Sequence, residues 1–497
     1  MKNDAFVDPR SAFAFGNSRA AASLAWILLI LLLPSCARKR PAQFVGIEND
    51  GFVLNNEQFF PLVINYLVDL QWNGDSCWAT SGMDYLGGGN YHSNSRKDSR
   101  DLLSHEFGEM RRMGFNAVRF GLSPDLVIDP DNGKIQLPSR YGLGTDTLLT
   151  FEGHWQARYF EALDDLIDVA HEEGLRVILL LRMRPDDRVF EEHAVQILSR
   201  LKHHPGILAY DLFNEPLYFD RPHHRAKKEV YSTMKRWREL VREHAPHHMV
   251  TIGLVGVREV FAWDPDILDV DFISFHPYEY EPGQVVNEIT WYGKHVRTPW
   301  IIGETSLPAD GDSVSFDEQR SFAERTLAKT KACGGIGYSW WQYKDVRWGR
   351  FHSDYMGLLA IDGKGKATVE AFRKFDQQEI GAGCEMLPNY YNYSDHDDAR
   401  IRGRLIDDNG DPIEGGVVLA WNEDYSHSYH TISHADGSFQ LFGDMYFFHW
   451  IASAIGHEVT RGEILPSGFL TEEDGVPTYR LGDLRLSKMD DRFLLRE

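Results

Sequence analysis

The chain has 497 residues, too many for one ordinary domain, so two domains with room for a large core are expected. A formal net charge of −22 argues against a nucleic-acid partner, whose phosphates require clustered Lys and Arg. Aromatic residues make up 13% of the chain, with 13 tryptophans; most are expected in the core, and exposed ones would suit stacking on sugar faces.

In chain order, the first element is a targeting segment. Residues 23–34 (SLAWILLILLLP) form an apolar run too short to span a bilayer comfortably, and Lys2, Arg10 and Arg19 precede it. Leu33-Pro34-Ser35-Cys36 follows and resembles a bacterial lipobox, in which Cys36 would be acylated and become the new N-terminus. The expectation is a signal peptide over 1–35, a lipid-anchored tether over 36–45 and a place on the bacterial cell envelope, at the outer membrane or cell surface. The alternative is ordinary secretion with Cys36 discarded or free. Cys77, Cys333 and Cys384 remain, which allows one disulfide without choosing the pair. No cysteine spacing resembles a zinc site.

Residues 51–66 read as a hairpin turning at Asn55-Asn56 and running into a first buried strand. Strand-like and helix-like stretches then alternate. Strands are expected at 60–66, 115–121, 175–182, 207–213, 248–253, 270–276, 299–304 and 335–341. Helices are expected near 99–113, 154–173, 187–202, 222–245, 257–262, 283–295, 316–333 and 367–378. Ser99-Arg100-Asp101 is read as opening the first of these helices, and Gly114 and Gly174 as closing the first two. The strands are apolar on both faces, as parallel strands covered on both sides must be. Eight βα units with no Gly-rich phosphate loop predict an α/β fold, a (β/α)8 barrel over 46–380. Its active-site face lies at the C-terminal ends of the strands, where the long connections 67–98 and 122–153 would shape a cleft.

Residues 381–396 read as a linker. From 397 to 488 short alternating strands follow, with Asn409-Gly410 and Asp436-Gly437 as hairpin signals. The stretch GRLIDDNGDPI and the later DGSF resemble the carboxypeptidase regulatory-like domain. That resemblance implies a small all-β immunoglobulin-like sandwich with a structural or spacer role.

Two glutamates stand at the ends of apolar strands: Glu215 in LAYDLFNEP and Glu304 in PWIIGET. Two carboxylates facing one sugar are the machinery of glycoside hydrolysis, and a retaining mechanism needs them about 5–5.5 Å apart. With these residues the chain resembles the clan A retaining glycoside hydrolases, most closely glycoside hydrolase family 5. The resemblance implies that Glu215 is the acid/base and Glu304 the nucleophile. It implies that Asn214 bonds the sugar 2-hydroxyl, that Arg119 in NAVRF sits beside the nucleophile, that His276 and Tyr278 in SFHPY form the strand-six pair, and that Trp341 in SWWQY is the platform under the sugar. The chain departs from the family at the end of strand three. Where a histidine is usual, VILLLRMRP places Arg182, which can still bond sugar hydroxyls.

The pairs His203-His204, His223-His224 and His247-His248 do not suit metal binding, because adjacent residues do not share a helix face. The expectation is therefore a cofactor-free, metal-free hydrolase acting on a β-linked oligo- or polysaccharide of glucan or mannan type, with the membrane as its other partner. A non-catalytic glycan-binding protein and a transglycosylase are the alternatives the same residues allow.

Overall fold

The computed structural model describes residues 41–49, 51–86, 93–122, 127–129, 131–139, 147–222, 225–280, 283–376, 383–386, 398–443, 447–464 and 470–495. The chain divides into two units, Met1–Pro41 and Ala42–Glu497. The apolar run, Cys36, the Gly87-Gly88-Gly89 run, His223-His224 and most of the expected linker lie outside the described residues. Among the described residues, no helix is long and apolar enough to cross a membrane.

Eight strands close into a barrel: β1 (Leu62–Asn65), β2 (Ala117–Phe120), β3 (Arg176–Leu180), β4 (Ile207–Asn214), β5 (Met249–Leu254), β6 (Ile273–Phe275), β7 (Trp300–Ile302) and β8 (Tyr338–Trp340). All neighbours are parallel, and β8 pairs with β1 to complete the ring. Every residue of β1, β2 and β5 is buried. Side chains alternate between the barrel interior and the helical layer, so both faces must be apolar.

The N-terminal hairpin forms as expected. Gly51–Leu54 pairs with Glu57–Phe59, and Asn55 and Asn56 at the turn have φ of 54° and 66°. A third strand, Gly46–Glu48, extends it. Phe52 and Val45 pack with Val63, Ala117, Ile178, Ala209, Met249 and Ile301. The hairpin thus closes the N-terminal end of the barrel and leaves the opposite end open for chemistry. The body begins at Ala42, and Phe44 packs on the rings of His247 and His248.

Outside the barrel lie α1 (Arg96–Arg112), α2 (Gly153–Glu172), α3 (Arg188–Leu201), α4 (Lys227–His244), α5 (Gln284–His295), α6 (Phe316–Ala332) and the short α7 (Val369–Arg373). The first helix begins earlier than its sequence suggests. Ser95 is the N-cap, its hydroxyl accepting from the Asp98 amide, while Ser99 is buried inside the helix and bonds the Ala79 carbonyl. Ser99 is held by a tertiary partner, which local capping rules do not register. The helix expected over 222–245 is α4, which begins at Lys227, and the stretch at 257–262 is a 3-10 turn, Val257–Phe261.

The first long connection folds into an antiparallel hairpin, Val68–Trp72 with Cys77–Ser81. Its tryptophans are core residues: Trp72 packs edge-on against Trp155, and the Trp78 indole donates to Gln71 and Ser93. The second connection carries a small antiparallel sheet of Val127–Ile128, Ile135–Ser139 and Thr147–Thr150.

The C-terminal part is a sandwich of two four-stranded sheets. Its strands are β9 (Ala399–Ile406), β10 (Val417–Trp421), β11 (Ser428–Ile432), β12 (Ser438–Gly443), β13 (His449–Ser453), β14 (Thr460–Glu463), β15 (Leu470–Glu473) and β16 (Val476–Arg485). One sheet runs β12-β9-β16-β15 and the other β11-β10-β13-β14. The two Asx-Gly sequences do reverse the chain, with Gly410 and Gly437 at φ of 89° and 78°. Asn409-Gly410 turns a short local hairpin, with Ile406 bridged antiparallel to Pro412, but the full strands that each sequence joins lie in opposite sheets. Turn chemistry fixes the reversal, whereas burial of two apolar faces decides the pairing.

The sandwich shares a core with the barrel: Val417, Leu419, Ile432, Ile451 and Met489 belong to the same apolar cluster as the barrel helices. Cys333, at the end of α6, is disulfide-bonded to Cys384, and Cys77 is a buried free thiol.

Candidate active site

The C-terminal ends of β1, β2, β4, β6, β7 and β8 bring together the polar residues singled out in the sequence. Arg119 organises them. It is buried, with Nε donating to Asp211 Oδ2 at 2.8 Å, one terminal nitrogen to Asn65 Oδ1 at 3.0 Å and to Glu304 Oε1 at 2.5 Å, and the other to Asn214 Oδ1 at 2.7 Å. Burial alone would lower its pKa, but Asp211 and Glu304 outweigh that and hold it above its ordinary value. The planar guanidinium fork lets one side chain fix four others.

Glu304 follows β7. Its second oxygen accepts from the Tyr278 hydroxyl at 2.7 Å, so a guanidinium and a phenol each bond one of its two oxygens. Gly303 precedes it because no other residue fits. A Cβ there would lie 1.7 Å from Ser274 Oγ and 2.8 Å from the His276 ring.

Glu215 follows β4 in a left-handed conformation, φ 49°. Its amide donates to the Gly253 carbonyl at 2.8 Å, and Leu217, two residues on, donates to Glu259 Oε1 at 3.0 Å. Such a backbone persists only where its surroundings over-determine it. Burial pushes the Glu215 carboxyl up to about 7, with Asp211 adding to the rise and Arg119 and Asn214 opposing it. The Arg119 guanidinium makes its close contacts with Asp211 and Glu304 instead, so its pull on Glu215 does not offset burial.

His276 lies between the two glutamates, 3.1 Å from Glu215 and 3.6 Å from Glu304 through Nδ1. Burial lowers its pKa to about 4, so it is a neutral imidazole there. Reactive atoms of Glu215, His276 and Glu304 all lie within 4.8 Å of one another. This spacing suits a cation, but Arg119 already supplies the positive charge at Glu304. The described partners of the histidine pairs are ordinary ones: His204 meets Asp168 and His248 meets the His204 carbonyl.

Trp341 is half-buried beside the pair, whereas Trp340 points into the core and donates to the Met356 carbonyl. Arg182, at φ 56°, lines the same pocket as Asn65, Arg119, Asn214, Glu304 and Trp341. Asn65 and Asp211 were not singled out from the sequence. Asn65 ties β1 to β7 and β8 through Gly303 O, Ser339 Oγ and Trp340 O at 3.0, 2.8 and 3.2 Å. A polar residue inside an otherwise apolar barrel strand was the signal available for both.

Residues 104–345 match the family described as cellulase, glycosyl hydrolase family 5. The barrel carries a glycosyl hydrolase family 5 domain. Solved structures similar to the chain include three with low identity. An exo-β-1,4-mannosidase from Opitutaceae bacterium strain TAV5 is 15% identical with a TM-score of 0.49, the match covering 90% of this chain and 95% of that one. A GH5_18 protein from Bifidobacterium longum subsp. infantis is 16% identical at a TM-score of 0.45, covering 64% and 81%. A β-D-glucuronidase of Dictyoglomus thermophilum is 15% identical at 0.44, covering 67% of this chain, which spans about half (53%) of that protein's length. No curated protein matches the sequence.

Proposed function

We propose that this family 5 domain is a retaining β-glycoside hydrolase acting on a glucan- or mannan-type glycan. The observation that carries the reading is the asymmetry of the glutamate pair. Oxygens of Glu215 and Glu304 lie within 4.8 Å; Glu304 is bonded by Arg119 and Tyr278, while the Glu215 carboxyl is pushed up to about 7. In a double displacement, the Glu304 carboxylate attacks the anomeric carbon as the Glu215 proton passes to the leaving oxygen. The glycosyl ester neutralises Glu304, which lowers the pKa of Glu215. Glu215 then takes a proton from water, and that water attacks the same carbon and frees Glu304. Asn214, oriented by Arg119 and bonded to Glu215, stands where a sugar 2-hydroxyl would lie. Trp341 offers a face for the sugar ring.

The reading includes a cell-envelope location through a lipid on Cys36. Its support is the apolar run, the preceding basic residues and the Leu-Pro-Ser-Cys sequence. The Cys333–Cys384 disulfide suits an oxidising compartment.

The test is to offer residues 41–497 soluble β-glucan, glucomannan, galactomannan, xyloglucan and xylan, with products followed by NMR at the anomeric proton. The expected result is a product of retained configuration from one polymer, none with Glu304→Gln, and about 10²–10⁴-fold less with Glu215→Gln. Full activity in either variant, or an inverted product, overturns the assignment. Glycan binding without product from any polymer supports a binding protein, and products longer than the substrate support a transglycosylase.

A further inference from the structure

Past Glu215 the cleft continues into a second pocket, lined by Tyr218, Arg258, Tyr280, Gln284 and Glu288. Glu304 belongs to the Trp341 pocket and Glu215 to this one. The acid faces the leaving group, so the second pocket is where the leaving group sits. Tyr218 and Tyr280 are 52% and 65% exposed, and the Arg258 guanidinium donates to the Tyr218 hydroxyl at 3.2 Å. Exposed rings beside hydrogen-bonding side chains suit a sugar ring and its hydroxyls.

The buried wall of this pocket is Glu288, on α5. Its oxygens accept from Gln284 Nε2 at 2.9 Å and the Tyr292 hydroxyl at 2.7 Å. Gly256 approaches it so closely that a Cβ there would lie 2.3 Å from Glu288 Oε2. The fit leaves little room for Glu288 to shift.

The sandwich lies behind this wall. His430 of β11 packs there with Nε2 3.9 Å from Glu288 Oε1, longer than a hydrogen bond. On the same helix, the Trp291 indole donates to the Gly415 carbonyl at 2.8 Å and Lys294 pairs with Glu414. Asp264, just past the 257–261 turn that carries Arg258, accepts from buried Lys227 at 2.7 Å and from the Gly456 amide at 2.9 Å. Lys227 in turn donates to Ser453 Oγ at 3.0 Å and the His457 carbonyl at 2.6 Å.

We propose that the C-terminal sandwich is a working part of the leaving-group subsite: through residues 414–415, bonded to α5, and through His430 packed behind Glu288, it positions α5 and its Glu288, so that the pocket beside Glu215 recognises a sugar as leaving group. The proposal rests on the hydrolase reading above. His430 and Trp291 are positioning residues, acting through Glu288. A nitrophenolate leaving group needs no hydroxyl contacts and little help from the acid. An oligosaccharide needs both, and its cleavage depends on how well the wall is placed.

The experiment compares the full chain with His430→Leu and Trp291→Phe. It measures kcat/KM on 4-nitrophenyl β-glucoside and β-mannoside against cellotriose and mannotriose, with thermal melts of each protein. Expected is a fall of about tenfold or more on the trisaccharide that the wild type cleaves, with the matching aryl glycoside nearly unchanged. Trp291→Phe keeps an aromatic ring and removes the donor to Gly415 with a small part of the buried ring system, so it carries the test where His430→Leu melts early. Equal losses on both substrate types, or no loss on either, overturn this proposal and leave the hydrolase reading intact. Where the wild type cleaves only a polymer of the panel above, a tri- to hexasaccharide released from that polymer replaces the trisaccharide; a wild type that cleaves none of the four and no polymer overturns the hydrolase reading, and this one with it.

Discussion

Glu215 and Glu304 are the same side chain at the ends of two strands of one barrel, and the proposed mechanism gives them opposite tasks that follow from their different neighbours. The pH dependence of kcat/KM reports the free enzyme, in which the proposed mechanism requires a protonated Glu215. Its carboxyl is pushed up to about 7, so activity is expected below that pH and is lost as pH rises through it. A profile flat from pH 6 to 9 would contradict this. Asp211 adds to the rise at Glu215 and binds Arg119. Asp211→Asn removes a nearby negative charge and leaves Arg119 less neutralised. Both effects lower the Glu215 pKa, so the basic limb is expected to move to lower pH, and a shift the other way would refute the charge argument. The glutamates were legible in the sequence because each ends an apolar run. Asn65 and Asp211 were not, because a single polar residue in a strand looks the same whether it faces a site or a structural partner. Only closure of the barrel brings Asn65 and Asp211 onto one guanidinium.

At the scale of elements, the eight strands were legible because burial on both faces leaves continuous apolar runs, and their positions agree within a few residues. The hairpin 68–81 was missed because its strands are mixed in character and take their burial from α1 and α2. The expected helix over 367–378 narrows to α7, Val369–Arg373, among the described residues. The start of α6 is set locally, by the Ser315–Glu318 capping box. Ser315→Ala is expected to cost about 1 kcal/mol in a denaturant melt without changing kcat. The other end of α6 is held by Cys333–Cys384, which closes a sequence separation of 51 residues. Cysteine counting left this pair open, since the choice depends on where the chain returns after α7. Replacing both cysteines by serine is expected to lower stability by about 2–4 kcal/mol, read as a lower denaturant midpoint. An unchanged midpoint would show that the native contacts of residues 383–386 already supply the constraint. The Thr290 hydroxyl and the Lys329 ammonium both donate to the Glu385 carbonyl, so those contacts are present to be compared.

For the whole molecule, the sequence suggests a barrel, a linker and a separable sandwich, and composition supports that division. The packing joins them. Met489 and four residues of the sheet containing β10 and β11 lie in the barrel's own apolar cluster, and Lys227 reaches from α4 to three sandwich groups. Interfaces with a shared core and buried polar ties transmit unfolding, whereas a tethered spacer melts independently. Calorimetry is therefore expected to give one transition, with equal calorimetric and van't Hoff enthalpies. Two resolved transitions would restore the spacer picture and weaken any role for the sandwich at the cleft. Lys227→Met sharpens the test. It leaves the fully buried Asp264 carboxylate without its cation, a loss of about 3–5 kcal/mol. In a coupled molecule that loss lowers one shared melting temperature. In a molecule of independent parts it lowers the barrel transition and leaves the sandwich transition where it was, because the buried charge sits on the barrel side.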